Sequence, residues 1–186
     1  MKMRTKRKIA AALVLVLLLS SAFGSTIAKI AEEVTFYWFE HTETELKIKK
    51  YAEENGTFYG KYPRSLIDLL ERNPETEEFV LEYPLYEKEN YDLRQETARD
   101  AVPLFLQWDQ RWGYETYGSD MMAITGCGPT CLAMVGYFVT GDAKFDPANV
   151  AKFAEENGYY VEGSGSSWTL ISEGGLQLGL DVVELP

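Results

Sequence analysis

A cysteine flanked by two glycines is the feature of this sequence that most directly indicates chemistry. Cys127 stands in the run ITGCGPTCLAM, residues 124–134, where Pro129 follows two positions later and an apolar, helix-forming run begins. A thiolate at the start of a helix is favoured by the exposed N–H groups and the positive end of the helix dipole. Proline suits the first turn because it has no N–H to leave unpaired. The run therefore predicts an activated thiol.

The residues next to Cys127 in the sequence lead to further predictions. Gly126 and Gly128 keep side-chain bulk away from the sulfur, so that a substrate backbone could approach it closely. The alternative for Cys127 is a small buried hydrophobe beside a tight turn, a common fate of free cysteine. Cys131, one helical turn further on, is expected in the buried core. A disulfide between the two is not expected, because side chains four residues apart on one helix are poorly directed for a bridge.

A nucleophilic cysteine needs a general base, and the whole sequence contains one histidine. That residue, His41, lies far upstream, and we do not expect it to serve as the base of Cys127. Asp and Glu residues cannot replace an imidazole near neutral pH without a large pKa shift. The partner of the predicted nucleophile is therefore missing from the sequence.

The elements that must position the cysteine alternate between strand and helix patterns. Val102–Gln107 is a short apolar run with strand propensity, and Leu180–Leu185 also predicts a strand. A helix is predicted from Pro129 to about Val139, closed by Thr140-Gly141-Asp142. Asp146-Pro147 predicts the cap and first turn of another helix, which ends at Asn157-Gly158.

Five segments of the second half resemble the peptidase C39-like family, a branch of the papain-like cysteine peptidases. In order they are VPLFLQWDQRWG, TGCGPTCLAMV, DPANVAKFAEENGYY, SSWTLI and LGLDVVEL, and they cover Val102 to Leu185 with family-like spacing. The resemblance implies an α+β fold of the papain-like type, in which the helix that carries the cysteine packs against a sheet. It also implies hydrolysis of peptide or amide bonds in a peptide or protein substrate by a thiolate nucleophile.

Within this resemblance each matching residue takes a family role. Cys127 is the nucleophile, and Gln107 occupies the place of the glutamine that helps bind the oxyanion, beside the backbone N–H of Cys127. In the family a later strand supplies the histidine, with an Asp or Asn that orients it. No such strand follows Leu185, so we predict that residues 101–186 are the N-terminal half of a truncated domain. This chain is then expected to be inactive or nearly so.

The N-terminal residues predict export. A basic stretch, residues 2–8, precedes the apolar run Ile9–Gly24, and Ala22-Phe23-Gly24 fits a cleavage site before Ser25. The alternative is an uncleaved membrane anchor, because residues 9–28 offer about 20 mostly apolar positions, roughly one bilayer span. Both interpretations send the rest of the chain across the membrane, either secreted or held at its outer face.

Residues 25–100 predict a helical, acidic extension before the peptidase-like domain; one candidate helix runs from Glu32 to Tyr51. Beyond residue 24 the sequence has 13 basic and 29 acidic residues, a formal charge of −16. Such a surface repels polyanions, so nucleic acid is not an expected partner. No cofactor is implied, and one histidine with two closely spaced cysteines makes no credible set of metal ligands.

Two other functions stay open. A non-catalytic C39-like binding module would keep the fold and the cysteine motif without the histidine. A membrane-anchored structural protein would instead use the acidic, aromatic residues 25–100 as its functional part. The three functions differ in whether Cys127 reacts as a nucleophile and in which part of the chain is required.

Overall fold

The computed structural model describes residues 24–36, 41–88, 90–93 and 100–183. The chain divides into two compact units, Met1–Ile67 and Asp68–Pro186. Apart from Gly24, the predicted export signal lies outside the described residues, and the predicted domain boundary before Ala101 stays a prediction. No helix in the described ranges has the length and apolar character needed to cross a membrane.

The first unit is helical. Helix α1 spans Gly24–Phe36, α2 spans Glu43–Glu54, a 3-10 turn covers Tyr59–Lys61, and the division between the units falls within α3, Arg64–Arg72. The expectation of one helix from Glu32 to Tyr51 was wrong, because a second helix starts inside that range. Thr42 caps α2 by accepting from the N–H of Glu45, whose carboxylate accepts in return from the N–H of Thr42.

The second unit combines short helices with two small hairpins. Its described elements are α4 (Glu77–Glu82) between 3-10 turns at Pro74–Thr76 and Tyr83–Leu85, β1 (Thr116–Tyr117), β2 (Asp120–Met121), α5 (Met122–Thr125), α6 (Cys127–Thr140), a 3-10 turn at Ala143–Phe145, α7 (Pro147–Glu156), β3 (Tyr160–Val161), β4 (Gly165–Ser166), a π-helix at Leu170–Gly174 and α8 (Gly175–Gln177). β1 pairs antiparallel with β2, and β3 pairs antiparallel with β4. The architecture is mixed helix with small sheets, compatible with the α+β class.

The prediction of strands at Val102–Gln107 and Leu180–Leu185 was wrong. Residues 102–106 have no regular secondary structure, and Gln107 begins a turn. Residues 180–183 are also irregular, while residues 184–185 lie outside the described part. A strand requires a partner to satisfy its backbone N–H and C=O groups. Among the described residues no strand pairs with either run, so apolar character alone did not make them strands.

The two long helices of the second unit confirm their predicted caps. Helix α6 begins two residues earlier than expected, at Cys127, and ends at Thr140, where Gly141 is the C-cap with a φ of +68° that suits glycine. Asp146 caps α7 by accepting from the N–H groups of Ala148 at 2.9 Å and Asn149 at 3.3 Å. The core beside them includes large buried rings: Trp112, Tyr117, Tyr137 and Phe145.

Candidate functional site

Helix α6 presents Cys127 at its N-terminal end. Cys127 is the first residue of this 14-residue helix, and its side chain is exposed. The N-cap is Gly126, and no side chain of the described residues caps the end. First-turn N–H groups and the helix dipole therefore act on this thiol without a competing carboxylate in that turn. The alternative interpretation of Cys127 as a buried hydrophobe was wrong.

Gln107 reaches the turn that leads into the cysteine. Its Nε2 donates to the carbonyl oxygens of Met122 at 2.9 Å and Ala123 at 3.0 Å. The same Met122 carbonyl accepts from the N–H of Gly126 at 2.8 Å. A glutamine amide has two N–H donors, and both are engaged here. Gln107 thus stabilises the backbone turn that precedes Cys127. Its role as an oxyanion donor stays a prediction, and that role would require one of these two hydrogen bonds to break.

The glycines beside Cys127 serve internal packing. A Cβ at Gly126 would lie 2.6 Å from both the carbonyl oxygen and the sulfur of Met122. A Cβ at Gly128 would lie 2.7 Å from both the Cβ and the Oγ of Ser166. The space that a side chain would need at either position is therefore filled by the protein. The expectation that these glycines let a substrate approach the sulfur stays a prediction.

The side chain of Ser166 lies against the start of α6 and is paired with the hydroxyl of Tyr117. Its Oγ lies 2.7 Å from the phenolic oxygen of Tyr117, which is fully buried. Burial raises the pKa of Tyr117, the hydrogen bond with Ser166 lowers it, and negative charge on neighbours that include Cys127 raises it further. Sequence reasoning missed both residues, because they stand 49 positions apart on different two-residue strands.

The hairpin that carries Ser166 lies close to the turn before the cysteine. Thr125 donates its hydroxyl to the carbonyl oxygens of Tyr117 at 2.8 Å and Met121 at 3.1 Å. Gly165 has a φ of +80°, and a Cβ there would fall 2.8 Å from the carbonyl oxygen of Thr125. Only glycine allows this close approach, so the two hairpins and the turn form one framework around the start of α6.

Cys131 is exposed, so its predicted place in the core was wrong. Partial burial raises the pKa of the Cys131 thiol, and the negative charge of Cys127 raises it further. Cys127, Cys131, Val135 and Val139 recur every four residues and are all exposed, so α6 carries an uncovered stripe that begins at Cys127. An apolar groove of about 590 Å³ runs beside it, lined in part by Cys131, Val135 and Val182.

Both ring nitrogens of His41 contact residues of the first unit. Its Nε2 donates to the carbonyl oxygen of Phe36 at 2.8 Å, and its Nδ1 lies 2.9 Å from Oε2 of Glu45. Glu45 is buried and also accepts from Arg64 at 2.7 Å and Tyr59 at 3.2 Å. Burial raises the pKa of Glu45, but its hydrogen bonds outweigh that effect and hold the pKa below the usual range. Both ring nitrogens of His41 are thus engaged locally.

The described ranges contain no group of three or more His, Cys, Asp or Glu residues arranged to hold a metal ion. In comparisons with known proteins, no family model, curated protein or solved structure matched the chain. The resemblance to the peptidase C39-like family therefore rests on the sequence segments alone.

Proposed function

We propose that this chain carries the nucleophile of an exported C39-like cysteine peptidase domain with a papain-like arrangement. One observation carries the proposal: Cys127 is an exposed thiol at the first position of a 14-residue helix whose N-terminal end has no side-chain cap among the described residues. Such a position leaves the sulfur accessible to a substrate and close to the N–H groups of the first helical turn. The substrate class that follows is a peptide or another amide.

The proposed chemistry begins with attack of the Cys127 thiolate on an amide carbonyl. A C–S bond forms while the carbonyl π electrons move to oxygen, and the backbone N–H of Cys127 donates to this oxyanion. The C–N bond then breaks, the amine leaves with a proton from a general acid, and water hydrolyses the resulting thioester.

Proton transfer is the step for which the sequence of the second unit provides no imidazole. The sequence contains one histidine, His41, and both of its ring nitrogens are engaged in the first unit. We therefore propose that the chain on its own forms a covalent adduct at Cys127 but turns over amides very slowly. An imidazole from outside the chain would restore the missing proton transfer.

Labelling of the full chain with an epoxysuccinyl peptide tests the proposal. Cys131→Ser leaves Cys127 as the one thiol, and Cys127→Ser leaves Cys131, whose raised pKa makes it the matched slow control. We expect labelling at pH 7 at least tenfold faster in Cys131→Ser, with the adduct mapped to Cys127 by mass spectrometry. Equal labelling rates would contradict the proposal.

A non-catalytic binding module is the second candidate. The observation that favours it is that Gln107 already donates both amide hydrogens to carbonyl oxygens, so it does not present a free donor for an oxyanion. Cooperative unfolding of the protein together with no reaction of Cys127 would support this candidate.

A further inference from the structure

A hydroxyl pair stands beside the proposed nucleophile without a role in the chemistry described so far. Ser166 is only partly buried, and its Oγ occupies the position that a side chain at Gly128 would need. Gly128 is the residue after Cys127 in the first turn of α6. The Ser166 hydroxyl therefore lies next to the backbone that bears the proposed oxyanion-binding N–H.

Tyr117 fixes the position of this hydroxyl. The phenol is fully buried and lies 2.7 Å from Ser166 Oγ, while Thr125 donates to the Tyr117 carbonyl and fixes the strand itself. A phenol is more acidic than an aliphatic alcohol, so Tyr117 is the better donor of the two. When Tyr117 donates to Ser166, the Ser166 O–H is left to donate elsewhere.

A donor is needed at this position. The Gln107 amide, the family candidate for binding the oxyanion, has both hydrogens on the carbonyl oxygens of Met122 and Ala123. The backbone N–H groups of the first turn of α6 would then act on an oxyanion without a side-chain donor, and a further donor would stabilise the tetrahedral intermediate. Ser166 Oγ is a hydroxyl that the described residues place against Gly128, 2.7 Å from where a Cβ would stand, whereas the Thr130 hydroxyl of the same turn donates to the Gly126 carbonyl oxygen.

We propose that the Ser166 hydroxyl, positioned by Tyr117 against Gly128, donates a hydrogen bond to the oxyanion formed when Cys127 attacks a carbonyl. Ser166 is then a catalytic residue and Tyr117 a positioning residue. This inference rests on the proposed function, because it requires a nucleophilic Cys127.

Two reactions of the same thiol separate this role from a structural one. Acylation by p-nitrophenyl acetate passes through an oxyanion, whereas alkylation by iodoacetamide is a direct displacement at carbon and forms none. In the full chain with Cys131→Ser, we expect Ser166→Ala to slow acylation about a hundredfold to a thousandfold, in line with loss of one oxyanion donor. The alkylation rate should not change. Tyr117→Phe should slow acylation less and should also spare alkylation.

Ser164→Ala is the matched control, because Ser164 is an exposed serine of the same hairpin loop. It should change neither rate. Unchanged acylation in Ser166→Ala, or an equal fall of acylation and alkylation, would overturn the inference. Failure of the proposed function looks different: in the parent protein p-nitrophenyl acetate would then acylate Cys127 no faster than it acylates Cys131 in the Cys127→Ser variant.

Discussion

The side-chain amide of Gln107 lies 2.9 Å from the carbonyl oxygen of Met122, to which it donates a hydrogen bond. That carbonyl also accepts from Gly126, the residue directly before the proposed nucleophile. A residue twenty positions upstream of Cys127 thus holds the turn from which α6 begins. Although Val102–Gln107 forms no strand, this contact joins the segment to the turn before Cys127, where Gln107 was expected to act.

Removal of the Gln107 amide should weaken this turn. In Gln107→Ala the carbonyl oxygens of Met122 and Ala123 each lose the amide donor, although that of Met122 keeps the N–H of Gly126. We expect the free energy of unfolding to fall by about 1–3 kcal/mol. Gln107→Glu should cost more, because it sets a carboxylate against the two carbonyl oxygens. Urea denaturation measures both, with exposed Gln177→Ala as the control. Wild-type stability in Gln107→Glu would show that the bonds do not form.

Packing of α6 depends on the absence of a side chain at Gly136. A Cβ there would lie 2.1 Å from Cδ1 of Phe145, whose ring is fully buried. Overpacking of about 1–3 kcal/mol should exceed the gain of about 1 kcal/mol that alanine has over glycine in a helix. Gly136→Ala should therefore lower the urea midpoint, whereas exposed Val135→Ala should change it little. A rise of the midpoint in Gly136→Ala would refute this packing.

The cap of α7 should contribute more to stability than an exposed cap of the same type. Asp146 is buried and accepts from two backbone N–H groups and from Tyr91 at 2.5 Å. Asp146→Ala leaves these donors without an acceptor and should cost about 2 kcal/mol or more in unfolding free energy. Asp142 is exposed and accepts from the N–H of Lys144, so Asp142→Ala should cost less. Equal losses in the two variants would contradict the burial argument.

Acid should destabilise the first unit through Glu45. Burial raises the pKa of Glu45, but hydrogen bonds from His41, Thr42, Arg64 and Tyr59 lower it further than burial raises it. A carboxyl with a depressed pKa in the folded state stabilises that state above its unfolded pKa. This contribution is lost as the pH falls below about 4.5 and through the folded value.

Glu45→Gln should make the protein less stable at pH 7 but remove this part of its acid sensitivity. Circular dichroism during thermal unfolding between pH 7 and pH 3 measures the effect. Glu53→Gln changes a more exposed carboxylate of the same helix and should keep the wild-type acid dependence. If Glu45→Gln and wild type lost stability in parallel on acidification, Glu45 would not be the group responsible.

Local sequence signals predicted the helices around the site, whereas the strands and the contact between Tyr117 and Ser166 depend on residues far apart in the sequence. The cap at Asp146 and the stop at Gly141 act within one turn, so the sequence alone was enough. The run of Leu132, Ala133, Met134 and Val135 is apolar around the whole helix, so it could not indicate which face is buried. This is why Cys131 was misplaced.

The contact between Tyr117 and Ser166 left no local pattern to recognise. It depends on how two hairpins of two-residue strands approach each other across 49 positions of sequence. The prediction of strands at Val102–Gln107 and Leu180–Leu185 was wrong for the same kind of reason, because a strand needs a pairing partner, and that partner can lie anywhere in the chain.

The reaction of the full chain with p-nitrophenyl acetate tests the central claim most directly. The Cys127 thiolate attacks the ester carbonyl, a C–S bond forms, and p-nitrophenolate leaves. With Cys131→Ser we predict a burst of about one equivalent per chain, in line with acyl-enzyme accumulation, followed by slow turnover that added imidazole accelerates. With Cys127→Ser we predict no burst. A burst of equal size in Cys127→Ser, or none in Cys131→Ser, would contradict the assignment of Cys127 as the nucleophile.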